Sequence, residues 1–308
     1  MAREVAFVTG ASRGIGRVCA IELANQGYDV AVTARTVNPG EAREHSSTIR
    51  ESDLSPLPGS LSEVAEAIRD AGAQAMVIPA DLLDKVSLGT AANSVLERWG
   101  RVDVVVHNGR YIGPGHMDRF MDAPIDLIDK QIQANVIAPL ILNKIFLTGM
   151  IERGSGTIVN IGSSAGYADP TKPAGEGGWG MGYGVSKGAF QRIAGFLAVE
   201  LGGQGIRCFN LSPGPIATER IAQDMAKFGI ANDGAPAEVV AKVVTWLLKD
   251  PGAAQLNGGT SEAQHFCHER GLLPGWPGPR SNENPIKYDL SGALLAQLEE
   301  ACTARSAR

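Results

Sequence analysis

Residues 182–187, Gly-Tyr-Gly-Val-Ser-Lys, set Tyr183 and Lys187 four positions apart. That interval stacks two side chains on one face of a helix. A free phenol, with a pKa of about 10, is a poor proton partner at neutral pH. An ammonium held beside it favours the phenolate, so the pair could serve as a general acid or base. An ordinary helix-start phenol beside a lysine is the alternative, and the rest of the chain must decide. A second stretch, TGASRGIG at 9–16, carries Gly10, Gly14 and Gly16. Glycines just ahead of a helix let a phosphate approach the backbone N–H groups at its N-terminus. The spacing differs from the G-x-G-x-x-G of the common dinucleotide fingerprint, so the stretch gains weight only from its place in the fold.

That place is read from alternating apolar runs. Strand-like segments at 4–10, 28–35, 73–81, 101–108, 156–164 and 205–214 alternate with helical patterns at 14–26, 61–72, 84–99, near 124–151 and after Tyr183. Ser60 or Ser62 is a candidate cap for the second helix. Apolar strands separated by helices predict a parallel sheet covered on both faces. The expected fold is a Rossmann-type doubly wound α/β domain over 1–260, with the glycine stretch between its first strand and first helix. A C-terminal extension over 261–308 follows: a Pro/Gly-rich connector at 272–285 and an amphipathic helix at 289–305. That helix packs on its own domain, on a neighbouring subunit or over the substrate cleft.

Composition narrows the function classes. The chain has 308 residues, 44% hydrophobic and 20% charged, with a net charge of −5. An acidic chain without a Lys/Arg cluster argues against nucleic-acid or anionic-membrane partners. Its longest apolar runs, such as VIAPLIL, are too short to span a bilayer. Four cysteines without paired spacing read as reduced structural thiols, and the chain enters a strand at once, so a cytoplasmic location is expected. His265, Cys267 and His268 lack a complementary ligand pair, and no metal site is expected.

Nineteen residues beyond Gly16, at the end of the second strand, stands Arg35. An acidic residue near this position binds ribose hydroxyls, whereas a cation suits a 2′-phosphate. Arg13 inside the glycine loop is a candidate second cation. The expected cofactor is therefore NADP(H), the alternative being solvated surface arginines.

Taken together, these motifs resemble the classical short-chain dehydrogenase/reductase family over roughly residues 4–260. TGASRGIG is similar to that family's cofactor loop, with Ser12, Arg13 and Ile15 among the glycines. Asp81, followed by Leu82, matches the residue that contacts the adenine ring. The resemblance implies that Asn135, in QANVIAP, anchors a water in a proton relay. It implies that Ser163, with Ser164 as the alternative, hydrogen-bonds the substrate oxygen. Tyr183 and Lys187 match the family's Y-x-x-x-K, and Lys187 would also hold the nicotinamide ribose. SPGPIAT resembles the segment along the nicotinamide, implicating Pro213, Gly214, Ile216 and Thr218.

The resemblance implies an NADP(H)-dependent oxidoreductase that interconverts a ketone or aldehyde and an alcohol, with a catalytically silent cofactor-binding scaffold as the alternative. Family enoyl reductases and the extended sugar-nucleotide members use other spacings. The partner is a small carbonyl or alcohol substrate, and a homotetramer or homodimer through the two long helices is expected.

Two departures stand out. Where the family shows N-N-A-G, this chain has His107-Asn108-Gly109-Arg110. Asn108 and Gly109 keep their expected place beside the cofactor, His107 reads as structural, and the charge of Arg110 faces either cofactor or substrate. Ser163 and Tyr183 are also twenty residues apart, more than the family usually has. The extra TKPAGEGGWG is either a surface excursion or a pocket wall carrying Trp179 and Met181.

Overall fold

The apolar runs of the central strands are buried on both faces, as parallel strands between helical layers require. In this computed structural model, which describes residues 3–219 and 234–280, there are seven strands: β1 (Val5–Thr9), β2 (Asp29–Ala34), β3 (Ala75–Pro79), β4 (Val104–His107), β5 (Gly156–Ile161), β6 (Ile206–Ser212) and β7 (Thr260–Glu262). They form one sheet in the order β3-β2-β1-β4-β5-β6-β7, and every pairing is parallel. This is the doubly wound α/β architecture. The order reverses between β1 and β4, the switch point where such sheets take their ligands.

Alternate strand residues serve opposite faces. Ala6 and Val8 join the core beneath α1 (Gly14–Asn25), α2 (Leu61–Asp70) and α7 (Glu238–Lys249). Val5 and Phe7 join the core beneath α3 (Lys85–Trp99), α5 (Ala138–Glu152) and α6 (Met181–Leu201). Ser60 is the cap of α2: its hydroxyl accepts from the Glu63 backbone N–H at 3.3 Å and donates to the Glu63 carboxylate at 2.8 Å. The reciprocal pairing resembles a capping box.

The expected helix near 124–151 is α4 (Ile125–Ile132), a π-helical turn at Gln133–Ile137, and α5 in one rod. At 28 residues and mean hydropathy 1.6 it has the length and composition of a membrane span, although more than half of its most apolar window is buried inside the fold. The packed unit also runs past residue 260, the boundary expected from sequence. That residue opens β7, and α8 (Ala263–Glu269) follows. Phe266, Cys267, Leu272, Leu273 and Trp276 pack on the α1/α7 core. The helix expected over 289–305 lies outside the described residues.

His107 ends β4 at 1% exposure, with Nε2 2.8 Å from Asn143 Oδ1 and its ring edge-on to Phe190. Burial pushes its pKa down to about 4. An unfolded histidine titrates near 6.5, so between these values the unfolded chain binds the extra proton and stability is lost as pH falls. From pH 7 to pH 5 this residue should cost the fold about 2 kcal/mol. Urea unfolding of His107→Asn should therefore show a shallower loss over that interval than the parent protein; parallel profiles would refute this.

Candidate active site

The loop after β1 can approach β4 only because side chains are missing. Gly10 has φ +63°, and a Cβ there would fall 2.7 Å from the Gly109 Cα. A Cβ on Gly16 would fall 2.3 Å from the Gly10 carbonyl oxygen. Polar bonds complete the junction. Thr9 Oγ1 accepts from the N–H groups of Asn108 and Gly109, and Asn108 Nδ2 donates to the carbonyls of Thr9 and Gly10.

Beyond this junction opens a cleft of about 240 Å³. The glycine loop contributes Gly10, Ser12, Arg13, Gly14 and Ile15 to its wall. Arg35, Asp81, Leu82, Asn108 and Gly109 contribute from the ends of β2, β3 and β4, and Thr218 closes another side. Gly16 packs behind the loop. Of the remaining expected residues, Pro213 offers its carbonyl to Gln264, and Gly214 lies in the left-handed region at φ +66°. Ile216 is buried against the α1/α7 core. These three do not line the cleft.

The donor set fits a dinucleotide phosphate. No side chain of the N-cap residue Arg13 caps α1, and the Gly14 N–H instead donates to the Glu219 carboxylate at 3.1 Å. An anionic group thus already meets the positive end of this helix. Arg13 is turned elsewhere: its guanidinium donates to the carbonyls of Leu57, Pro58 and Gly59. Arg35 makes no side-chain hydrogen bond or ion pair among the described residues. Arg43, which carries no motif signal in the sequence, lines the same cleft. It donates to the Arg35 carbonyl and pairs with Glu41 at 2.9 Å.

Three long segments interlock beside the site. Within 36–60, Glu44 accepts from the backbone N–H groups of Ser46 and Asp53. Asp118, 5% exposed, ties this excursion to the segment after β4. It accepts from the Thr48 hydroxyl at 2.6 Å and from the N–H groups of Ile49 and Gly115 at 3.0 and 2.9 Å. The TKPAGEGGWG segment joins through Gly180 N–H to His116 carbonyl, 2.7 Å, and an Arg119–Glu176 ion pair. Asp118→Ala strands the buried Gly115 N–H and the half-buried Thr48 hydroxyl at the junction, and should lower unfolding stability by about 2 kcal/mol. It should also expose 36–60 to proteolysis. An unchanged urea midpoint and cleavage pattern would contradict this.

The expected catalytic residues lie just past the end of β5, on the first turns of α6 and in the π-helical turn between α4 and α5. Lys187 is 3% exposed and donates to the Ile161 carbonyl at 2.8 Å. Burial pushes its pKa down to about 7, and the Arg110 charge adds to the shift. Ser163 is extended, with its hydroxyl accepting from Ala165 N–H at 3.3 Å, and Ser164 opens the 3-10 turn that follows. Asn135 sits in the π-helical turn, a feature common at functional sites. Its Nδ2 donates to Ser186 Oγ at 2.9 Å and its Oδ1 accepts from Tyr111 N–H at 2.7 Å. Pro139, four residues on, has no N–H to return to the Asn135 carbonyl.

The Tyr183 ring is flanked by two side chains. His116 meets it near-perpendicular at 4.3 Å, and the Arg110 guanidinium lies 5.6 Å from its centroid. Arg110 also lines the cleft, whereas Tyr183, Lys187 and Ser163 do not. His116 gave no signal in the sequence, because nothing local announces a contact across 67 residues.

Comparison with known proteins gives the family. The family model described as short chain dehydrogenase matches residues 4–60 and 54–227, two segments that meet on the 36–60 excursion. Cyclohexanol dehydrogenase of Rhodococcus sp. (strain TK6) is 32% identical over 229 residues, 74% of this chain and 80% of that protein. Human dehydrogenase/reductase SDR family member 7 is 30% identical over 227 residues, 72% of this chain but only 58% of the relative. Among solved structures, 7 alpha-hydroxysteroid dehydrogenase complexed with NADH and 7-oxo glycochenodeoxycholic acid shares the fold. Its TM-score is 0.66 over 84% of this chain and 92% of that one, at 23% identity. Motifs, topology and relatives agree: the chain belongs to the classical short-chain dehydrogenase/reductase family of oxidoreductases.

Proposed function

We propose that this oxidoreductase interconverts a ketone or aldehyde and the corresponding alcohol, using NADP(H). The observation that carries the reading is the buried Lys187 ammonium one helical turn from Tyr183, with Arg110 linking the phenol to the glycine-lined cleft. When bound, the dinucleotide supplies or accepts the hydride. Tyr183 delivers its hydroxyl proton to the carbonyl oxygen in reduction and takes it back in oxidation. The Ser163 hydroxyl donates to the same oxygen and stabilises its developing charge. Lys187 holds the nicotinamide ribose. The Asn135 carbonyl, to which Pro139 has no N–H to offer, holds the water through which the proton reaches solvent.

Arg35 supports the phosphorylated cofactor, since a guanidinium fork suits a 2′-phosphate. Assembly as a homotetramer or homodimer is supported by apolar side chains left outward on the two long helices: Leu140 on α5, and Val185, Phe196 and Val199 on α6. The test is the purified protein with NADPH or NADH and cyclohexanone, and in reverse with cyclohexanol, extended to a carbonyl panel. NADPH consumption well above that of NADH is expected. A bound cofactor with no turnover across the panel defeats the reaction, and an NADH preference defeats the cofactor assignment.

A further inference from the structure

The residue least explained by the proposed chemistry is Arg110. It stands in the segment after β4, where the family pattern carries glycine, and its side chain reaches the catalytic phenol. The guanidinium carbon lies 5.6 Å from the Tyr183 ring centroid. The one hydrogen bond it makes among the described residues is to the neighbouring Tyr111 carbonyl, 3.0 Å from Nη1. No carboxylate among them lies within ion-pair distance of it. Yet the group is only partly exposed, and a second cation, Lys187, is close enough for the two charges to disfavour one another. Two cations at one partly buried place, with no counter-charge, hold an unfavourable field that an incoming anion relieves.

The position also argues for substrate over cofactor phosphate. The phosphate-binding N–H groups stand at the start of α1, and the expected 2′-phosphate cation, Arg35, directly follows β2. Arg110 instead lies over the acid/base group, where the reacting carbon must come. Against the same ring His116 contributes an imidazole, near-perpendicular at 4.3 Å.

We propose that Arg110, with His116 against the same Tyr183 ring, forms a subsite for a carboxylate on the substrate, so that this enzyme acts on oxo acids and hydroxy acids in preference to neutral ketones and alcohols. The assignment rests on the carbonyl–alcohol reading above. A guanidinium presents paired N–H donors in the plane that a carboxylate accepts, a match that a lysine or a neutral amide lacks.

Two experiments test it. In the first, 3- and 4-oxocyclohexanecarboxylate are compared with their methyl esters as substrates of the NADPH-loaded enzyme. The acid should exceed its ester in kcat/KM by about tenfold or more, mostly through KM. Arg110→Gln should erase most of that ratio, and Arg110→Lys should leave an intermediate value. The ratio is internal to each variant, so a general loss of folded protein does not imitate the effect. In the second, cyclohexanecarboxylate and cyclohexanecarboxamide are titrated into the NADPH complex, followed by cofactor fluorescence. The carboxylate should bind more tightly in the parent protein and lose that advantage in Arg110→Gln.

Equal handling of acid and ester, or a preference that survives Arg110→Gln, overturns the subsite. So does a variant that weakens NADPH binding while the acid-to-ester ratio holds, since Arg110 would then serve the cofactor. Failure to reduce acid and ester alike defeats the carbonyl reading, and the binding titration still decides the subsite.

Discussion

Replacing Tyr183 with phenylalanine should lower kcat/KM for carbonyl reduction by about 10²–10⁴-fold, the usual contribution of a positioned acid or base, while NADPH still binds. The substitution removes one oxygen and little else. The ring keeps its edge contact with His116 at 4.3 Å and its place under Arg110. Lys187 keeps its bond to the Ile161 carbonyl, and Asn135 keeps Ser186 and Tyr111. None of these partners depends on the phenol hydroxyl, so a fall in rate reports proton transfer and not a rearranged site. Steady-state rates and a fluorescence titration of NADPH, made on the same preparation, separate the two effects. Turnover within a few-fold of the parent would remove Tyr183 as the acid/base, and a parallel loss of NADPH binding would recast it as structural.

The parts of this site legible from sequence are those whose physics is local. A glycine that must clear the backbone of Gly109, or a Tyr and Lys one helical turn apart, announces itself by residue type and spacing alone. The same holds for β1, β2, β4, β5 and β6, whose apolar runs are buried on both faces. β7, Thr-Ser-Glu, is too short and too polar to signal a strand, and its pairing with β6 had to be seen. The choice between Ser60 and Ser62 as cap also needed geometry, because both types and spacings were acceptable. The sequence of the 36–60 excursion is polar and carries no periodic pattern. Its hold on the site runs through Asp118, seventy residues from Thr48, and through Arg13 on the carbonyls of 57–59. Such side-chain-to-backbone ties between distant segments leave no periodic trace. The TKPAGEGGWG segment came out between the two readings: it docks through Gly180, while Met181 is 52% exposed.

Arg35→Ala should raise the KM for NADPH by about 10–100-fold, the range of one charge-assisted contact, and leave NADH nearly unaffected. The asymmetry follows from where the charge stands. Arg35 directly follows β2, beside the glycine loop, where the adenosine side of a dinucleotide falls in a doubly wound sheet. Its guanidinium is taken by no carboxylate among the described residues. Arg13 and Arg43, which line the same cleft, are already engaged, Arg13 by the carbonyls of 57–59 and Arg43 by Glu41 and the Arg35 carbonyl. They can reinforce a phosphate but are poorly placed to replace the lost cation, so the single substitution should be felt. Arg35→Asp goes further, since a carboxylate repels the phosphate and accepts from ribose hydroxyls; it should reverse the preference and improve NADH outright. Michaelis constants for both cofactors, measured at one saturating carbonyl concentration, decide the matter. If Arg35→Ala weakens NADPH and NADH alike, the residue braces the loop and the phosphate reading falls; if neither changes, the arginine is solvated and the cofactor preference must be sought elsewhere on the wall.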